Sequence, residues 1–185
     1  VATYKALEVM YTYPKRREKM ETTISDNFWE NFLSNAKAIR NRLILVKKEL
    51  LNAIEEASSR KNNIKLLSLG SGSARAVFER VSTLDKKLFI KIKLIDMSRK
   101  AIIFSQELAR SYNVAQIVEW QQDYAQNLQR YCNNFQPDVV EMVGLLDYYQ
   151  DEQAIDLIKK TYEVLTPGSL LITCNVSPNS EAPFV

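Results

Sequence analysis

A chain of 185 residues is long enough for one well-packed domain and short for two, and 46% hydrophobic with 25% charged residues is the balance of an ordinary soluble globular protein. There is no histidine, and the two cysteines, Cys132 and Cys174, lie far apart. Ser–His and Cys–His hydrolases are therefore excluded for the chain acting alone, and no metal site is expected. The net charge of +3 is split unevenly: residues 1–65 carry 13 Lys and Arg against 8 acids, residues 66–185 carry 12 against 14. That is too narrow a basic face for nucleic acid to be the expected partner.

No apolar run approaches the roughly 20 residues a membrane span requires. The first residues lack the basic start and apolar centre of a signal peptide, and the thiols read as buried or half-buried, so a reducing cytoplasm is expected. The run "KRREK", Lys15 to Lys19, reads as a solvated segment able to touch an anionic partner. From Ser25, apolar residues at Phe28, Phe32, Leu33, Ala36, Ile39, Leu43, Val46, Leu50 and Ile54 recur three or four apart. They predict one helix or two in succession, with Ser25 or Asp26 as N-cap. The polar stretch "ASSRKNN" closes this region, so residues 1–59 are expected to form a helical cap or lid and residues 60–185 an α/β core.

In the core, "IKLLSL" predicts a first strand, followed by "GSGS" and a helix starting near Ala74. "KLFIKIKLID" predicts a second strand with Leu88, Ile90, Ile92 and Leu94 on one face. Lys91 and Lys93 are unusual there and place the strand near the edge of cover, their stems snorkelling. Ser98 caps a helix running to about Tyr112. "AQIVEW" and "PDVVEMVG" predict strands three and four. In "DEQAIDLIKKTYEVL", Ala154, Leu157, Ile158 and Leu165 face inward on a helix that "TPG" ends, and "SLLITCNV" is strand five. The alternation implies an α/β fold: a Rossmann-like doubly wound sheet, mostly parallel, with strands 1–5 visible and N-terminal helices before them.

Ligands of such sheets sit beyond the carboxyl ends of the strands, beside the first. Gly70 and Gly72 stand there. A dinucleotide fingerprint would put a third glycine at position 75, which is Arg75, and no Gly-Lys-Ser/Thr follows to make a P-loop. Asp96 ends the second strand, where a carboxylate can accept bonds from both hydroxyls of a ribose; the competing reading is a helix N-cap or a surface acid. Asp123, after the third strand, is placed to read an adenine amino group with Tyr124 beside it; the same competing reading, a cap or surface acid, applies to it. Glu141 sits inside an apolar strand, where burial requires either a basic partner or an opening to a pocket.

These segments resemble the class I S-adenosylmethionine-dependent methyltransferases over about Lys65 to Val176. "LSLGSGSAR" stands in the place of their glycine-rich loop, Asp96 in that of the acid ending strand two, Asp123 in that of the adenine reader. "YEVLTPGSLLIT" is similar to their L-x-P-G-G-x-L passage, with Ser169 for the second glycine. The resemblance implies S-adenosylmethionine as cofactor, held by Gly70, Ser71, Gly72, Asp96, Met97, Asp123, Tyr124, Val143 and Gly144, and a small-molecule acceptor near Asp147 and Tyr148. It assigns no catalytic residue. The acid that the family carries two positions before the first glycine is Ser68 here, so its bonds are expected to be lost or supplied elsewhere.

"GLLDYYQDEQAIDLI" and "AIRNRLILVKKELLNAI" are also similar to a bacterial subgroup that includes makers of fatty-acid methyl esters. That implies a carboxylate or hydroxyl acceptor, fatty-acid-like, and Tyr4, Tyr11, Tyr13, Phe28 and Trp29 either line its pocket or pack the helices. The family's final strands have no counterpart here, so a missing C-terminal segment or a partner chain is expected along the fifth strand. Alternatives are a nucleic-acid or protein methyltransferase, another nucleotide-dependent enzyme such as an oxidoreductase or aminopropyltransferase, and a non-catalytic binding or scaffold module on the same fold.

Overall fold

Apolar runs of five to eight residues separated by helical stretches bury themselves best as parallel strands covered on both faces. The computed structural model describes residues 3–24, 26, 34–85 and 87–175. They fall into two compact units, one holding the described residues up to Leu45 and the other Val46–Asn175.

The first unit begins with α1 (Tyr4–Glu18), upstream of the apolar repeat that predicts helix from Ser25, and it runs through Pro14. An interior proline removes one hydrogen bond and reads as a break. Lys15, Arg16 and Arg17 occupy its last turn, the end that favours cations. Arg16 donates to both carboxylate oxygens of Asp26, each at 2.7 Å, while the Thr23 amide and hydroxyl also donate to Asp26. These bonds, the Arg16 one first, hold the Asp26 carboxyl far below the usual carboxylate range. The basic run is otherwise exposed, and Asp26 anchors that turn. Tyr13 is buried, with the Arg40 guanidinium 5.7 Å from its ring centre. Ser25, Phe28, Trp29, Phe32 and Leu33 lie outside the described residues. Helix α2 spans Ser34–Ser58.

The second unit carries β1 (Asn63–Leu69), α3 (Arg75–Val81), β2 (Phe89–Asp96), α4 (Arg99–Ser111), β3 (Val118–Gln122), α5 (Gln129–Cys132), β4 (Val139–Val143), α6 (Asp151–Val164) and β5 (Leu170–Cys174). All strand pairs are parallel, in the order β3-β2-β1-β4-β5. The chain steps outward from β1 to β3, returns across it to β4, and so makes a switch point at β1. Among the described residues β5 pairs with β4 alone. Ser98 caps α4 by accepting the Ala101 amide, as the sequence predicts.

Two cores sandwich the sheet. On the α2 face, Leu50 and Ile54 from α2 and Phe78 from α3 pack with Ile64, Leu66, Ile92 and Leu94. On the α6 face, Leu128 and Leu157 pack with Leu67, Leu69, Ile95, Val140 and Met142. Each fully buried Leu, Ile or Phe contributes about 1.5–3 kcal/mol relative to exposure.

Three expectations are corrected. Strand three starts only at Val118, because Ala115–Ile117 forms a 3-10 turn. Ile158 is 40% exposed: α6 turns Leu157 and Thr161 to the sheet, and a residue one step on points about 100° away. β2 is an interior strand, and Lys93 does more than snorkel. It is buried, ion-paired with Glu119 at 3.4 Å and placed 4.8 Å from the Phe135 ring centre, whereas Lys91 is exposed.

Candidate functional site at the carboxyl ends of the strands

The loop after β1 is built from backbone that only small residues tolerate. Gly70 and Gly72 have φ of +60° and +53°, and Ala74 has +54°. A side chain at Gly70 would also meet Leu145, whose Cδ1 would lie 2.6 Å from the added Cβ. Leu145, half-buried, thus leans on the loop from the β4 side.

The loop is tied to the end of β2. The Gly70 and Ser71 amides both donate to the Ile95 carbonyl, at 2.9 and 3.2 Å. The Gly72 amide donates to Asp96 Oδ2 and the Ser98 amide to Asp96 Oδ1, each at 2.8 Å. Asp96 is buried and oriented from two sides, yet each carboxylate oxygen can accept a second bond. The loop amides are turned inward, so a ligand would meet Cβ-free glycine surface rather than a cradle of donors.

β3 delivers Asp123 to the same end, its amide donating to the Asp96 carbonyl at 3.3 Å. Its carboxylate accepts from the Tyr124 amide, Asn127 Nδ2 and the Tyr131 hydroxyl at 2.7–2.8 Å. The bonds from Asn127 and Tyr131 hold it below its ordinary value. Most of its acceptor capacity closes its own turn. Directly after the two acids, Met97 and Tyr124 are 63% and 58% exposed.

On the β4 side, Gly144 has φ +69° and donates to the Cys174 carbonyl at 2.7 Å, beside half-buried Val143. The 3-10 turn Leu146–Tyr148 follows, with Asp147 exposed and Tyr148 49% exposed. The pairing of Ser68 and Glu141 could not be foreseen. They are register partners on β1 and β4, both buried, and the Ser68 hydroxyl donates to Glu141 Oε2 at 2.5 Å. The chain carries a buried carboxylate one strand away from the position where the resemblance places one. The only sequence signal was a glutamate in an apolar run.

At position 75, Arg75 points away from a glycine's role. It donates to Glu79 and to the Tyr112 hydroxyl at 3.0 and 3.1 Å, and Lys47 reaches Glu79 at 2.8 Å. Both cysteines are free; burial pushes the Cys132 thiol up to about 11, which makes it inert.

Residues 5–178 match the model of a family described as "Putative methyltransferase". The chain belongs to this family. S-adenosylmethionine is the cofactor that membership, together with the class I resemblance, implies. No curated protein matches the chain. Among solved structures, it is similar to a possible exported protein from Bordetella parapertussis at 18% identity, with a TM-score of 0.69 over 86% of this chain and 50% of that one. A putative sarcosine dimethylglycine methyltransferase from Galdieria sulphuraria shares 14% identity, TM-score 0.57, over 74% and 47% of the two chains. An S-adenosylmethionine-dependent methyltransferase from Agrobacterium tumefaciens shares 18%, TM-score 0.56, over 77% and 47%. These likenesses establish the Rossmann-like fold. The chain spans about half the length of each. No described helix is long and apolar enough to cross a membrane.

Proposed function

We propose that this chain binds S-adenosylmethionine at the carboxyl end of its sheet and transfers a methyl group to a small-molecule acceptor, with a carboxylate or hydroxyl of fatty-acid-like character as the receiving group. The observation that carries the reading is the Gly72 amide bonded to Asp96 Oδ2. It brings the glycine loop and the strand-two acid into one feature at the switch point.

Asp96, held by two amides, presents its remaining lone pairs to a vicinal diol, so the ribose would dock without reorganising the carboxylate. Met97 and Tyr124 are exposed beside it and suit the faces of a flat heterocycle. Asp123, largely engaged, has room for one further donor such as an adenine amino group. Ser71 and Val143 flank this end, and Gly70 and Gly144 keep it clear of side chains. Glu141, steadied by Ser68, supplies negative charge toward a methionyl ammonium. Asp147 and Tyr148 stand on the β4 side, where the acceptor would approach.

The bound cofactor supplies an electrophilic methyl group, so the protein's task is alignment and exclusion of water. A carboxylate acceptor arrives deprotonated and needs no general base, which suits a chain without histidine.

Calorimetric titration with S-adenosylmethionine, S-adenosylhomocysteine and NAD tests the proposal. Binding of the first two should fall at least a hundredfold in Asp96→Ala and about tenfold in Asp96→Asn, which retains one acceptor, with circular dichroism confirming the fold. Binding of NAD alone overturns the reading. Cofactor binding without methyl transfer to any carboxylate or hydroxyl acceptor would reduce it to a binding module.

A further inference from the structure

The crossover from β3 to β4 contains a 3-10 turn at Ala125–Asn127 and a helix, α5, of four residues. With Leu128 and Cys132 it covers the carboxyl half of the α6 face, and Phe135 reaches on to Lys65 and Lys93, whose ammonium groups lie 6.0 and 4.8 Å from its ring centre. The amino half of that face is left to Lys65 on β1 and to Phe89, Lys91 and Lys93 on β2. They line an open groove of about 1330 Å³ around the amino ends of β1, β2 and β3.

Lys65 and Lys91 are register partners on adjacent strands. Adjacent strands lie about 4.8 Å apart, so the two side chains leave the same face of the sheet side by side, and like charges placed opposite one another are unfavourable. Glu119 neutralises Lys93, which also donates to the Tyr131 carbonyl. Asp85, the other acid lining the groove, accepts the Lys87 amide. Among the described residues neither Lys65 nor Lys91 has an acid at ion-pair distance. Phe89, next along β2 on the same face, is 70% exposed. Lys65, 6.0 Å from the Phe135 ring centre, and exposed Lys91 thus carry two neighbouring positive charges with no acid partner beside an exposed aromatic ring, and one kind of ligand suits both features. The anion would sit between the lysines, and a flat apolar body would cover Phe89.

We propose that this groove is a second binding site, for an organic anion joining a phosphate or carboxylate to a planar apolar group. It is separate from the site at Asp96, five residues along β2 from Lys91 and so about 16 Å away.

The probe is 1-naphthyl phosphate, titrated into the whole chain by calorimetry and by amide chemical-shift mapping. Saturable binding is expected, with shifts at Lys65, Phe89 and Lys91 and an affinity at least tenfold above that of inorganic phosphate. Combined Lys65→Gln and Lys91→Gln substitution should weaken it at least tenfold, Phe89→Ala several-fold, and Lys159→Gln, on the exposed surface of α6, not at all. A melting temperature of the double variant at or above the parent's shows that it is folded. Saturating S-adenosylhomocysteine should leave the binding unchanged. Unaltered affinity in the double variant, inorganic phosphate binding as tightly, or displacement by S-adenosylhomocysteine each overturns the proposal.

Discussion

The two faces of the sheet are built from the same strands and are finished differently. On the α2 face, α2, α3 and α4 supply apolar side chains from Ile64 and Ile90 at the amino ends up to Leu94. Those three helices are also laced together by Glu79, which takes bonds from Lys47, Arg75 and Tyr112. On the α6 face, one turn of α5 and part of α6 cover Leu67, Leu69 and Ile95, and lysines occupy what is left. Cover is thus set by the length of each connection. Where a helix reaches, the strands present mainly apolar residues; where none does, β1 and β2 present Lys65 and Lys91, with Phe89 the apolar exception.

The most severe way to probe this difference is to hollow each core. Phe78→Ala on the α2 face should cost about 3–5 kcal/mol, and Leu157→Ala on the α6 face about 2–4, since only its partly covered side can collapse around the gap. Chemical denaturation measures both, and equal or reversed values would mean the two faces are equally well packed.

A smaller effect is expected where the faces meet the binding end. Glu141→Gln keeps a partner for the Ser68 hydroxyl but removes the charge, so S-adenosylmethionine affinity should drop about tenfold with little change in melting temperature. S-adenosylmethionine affinity equal to that of the parent would take Glu141 out of the site.

Acid should loosen the laced face. Burial pushes the Glu79 carboxyl up, but the bonds from Lys47 and Arg75 outweigh it and hold it below its usual value. A group lowered in the folded state stabilises it above its unfolded value, about 4.3, and that stability is lost as pH falls through the lower folded one. Thermal melts should be flat above about pH 5 and decline below about pH 4, with Glu79→Gln blunting the decline. An undiminished decline in that variant would assign it to other carboxylates, Asp26 and Asp123 first.

The smallest change expected is a gain. Lys91→Gln removes the repulsion from Lys65 and should raise stability by a few tenths of a kcal/mol in the absence of any anion. A loss would mean that the Lys91 stem shields the sheet more than its charge disturbs it.

Much of this was legible in the residues. Strand two's Ile90, Ile92 and Leu94 share one face because side chains alternate along any strand, and Ser98 caps α4 through a local bond. The order of strand, glycine loop, acid and further strands was enough to point to the family. Local chemistry of this kind spans only a few residues, so the chain spells it out directly. Three features were decided only by tertiary structure: the bond from Ser68 to Glu141, the engagement of Asp123 by Tyr131, and the contrast between buried Lys93 and exposed Lys91. The first joins residues 73 apart, and the last depends on where a short helix stops. Side chains that pair across strands answer to the register and reach of their neighbours, which no local pattern encodes.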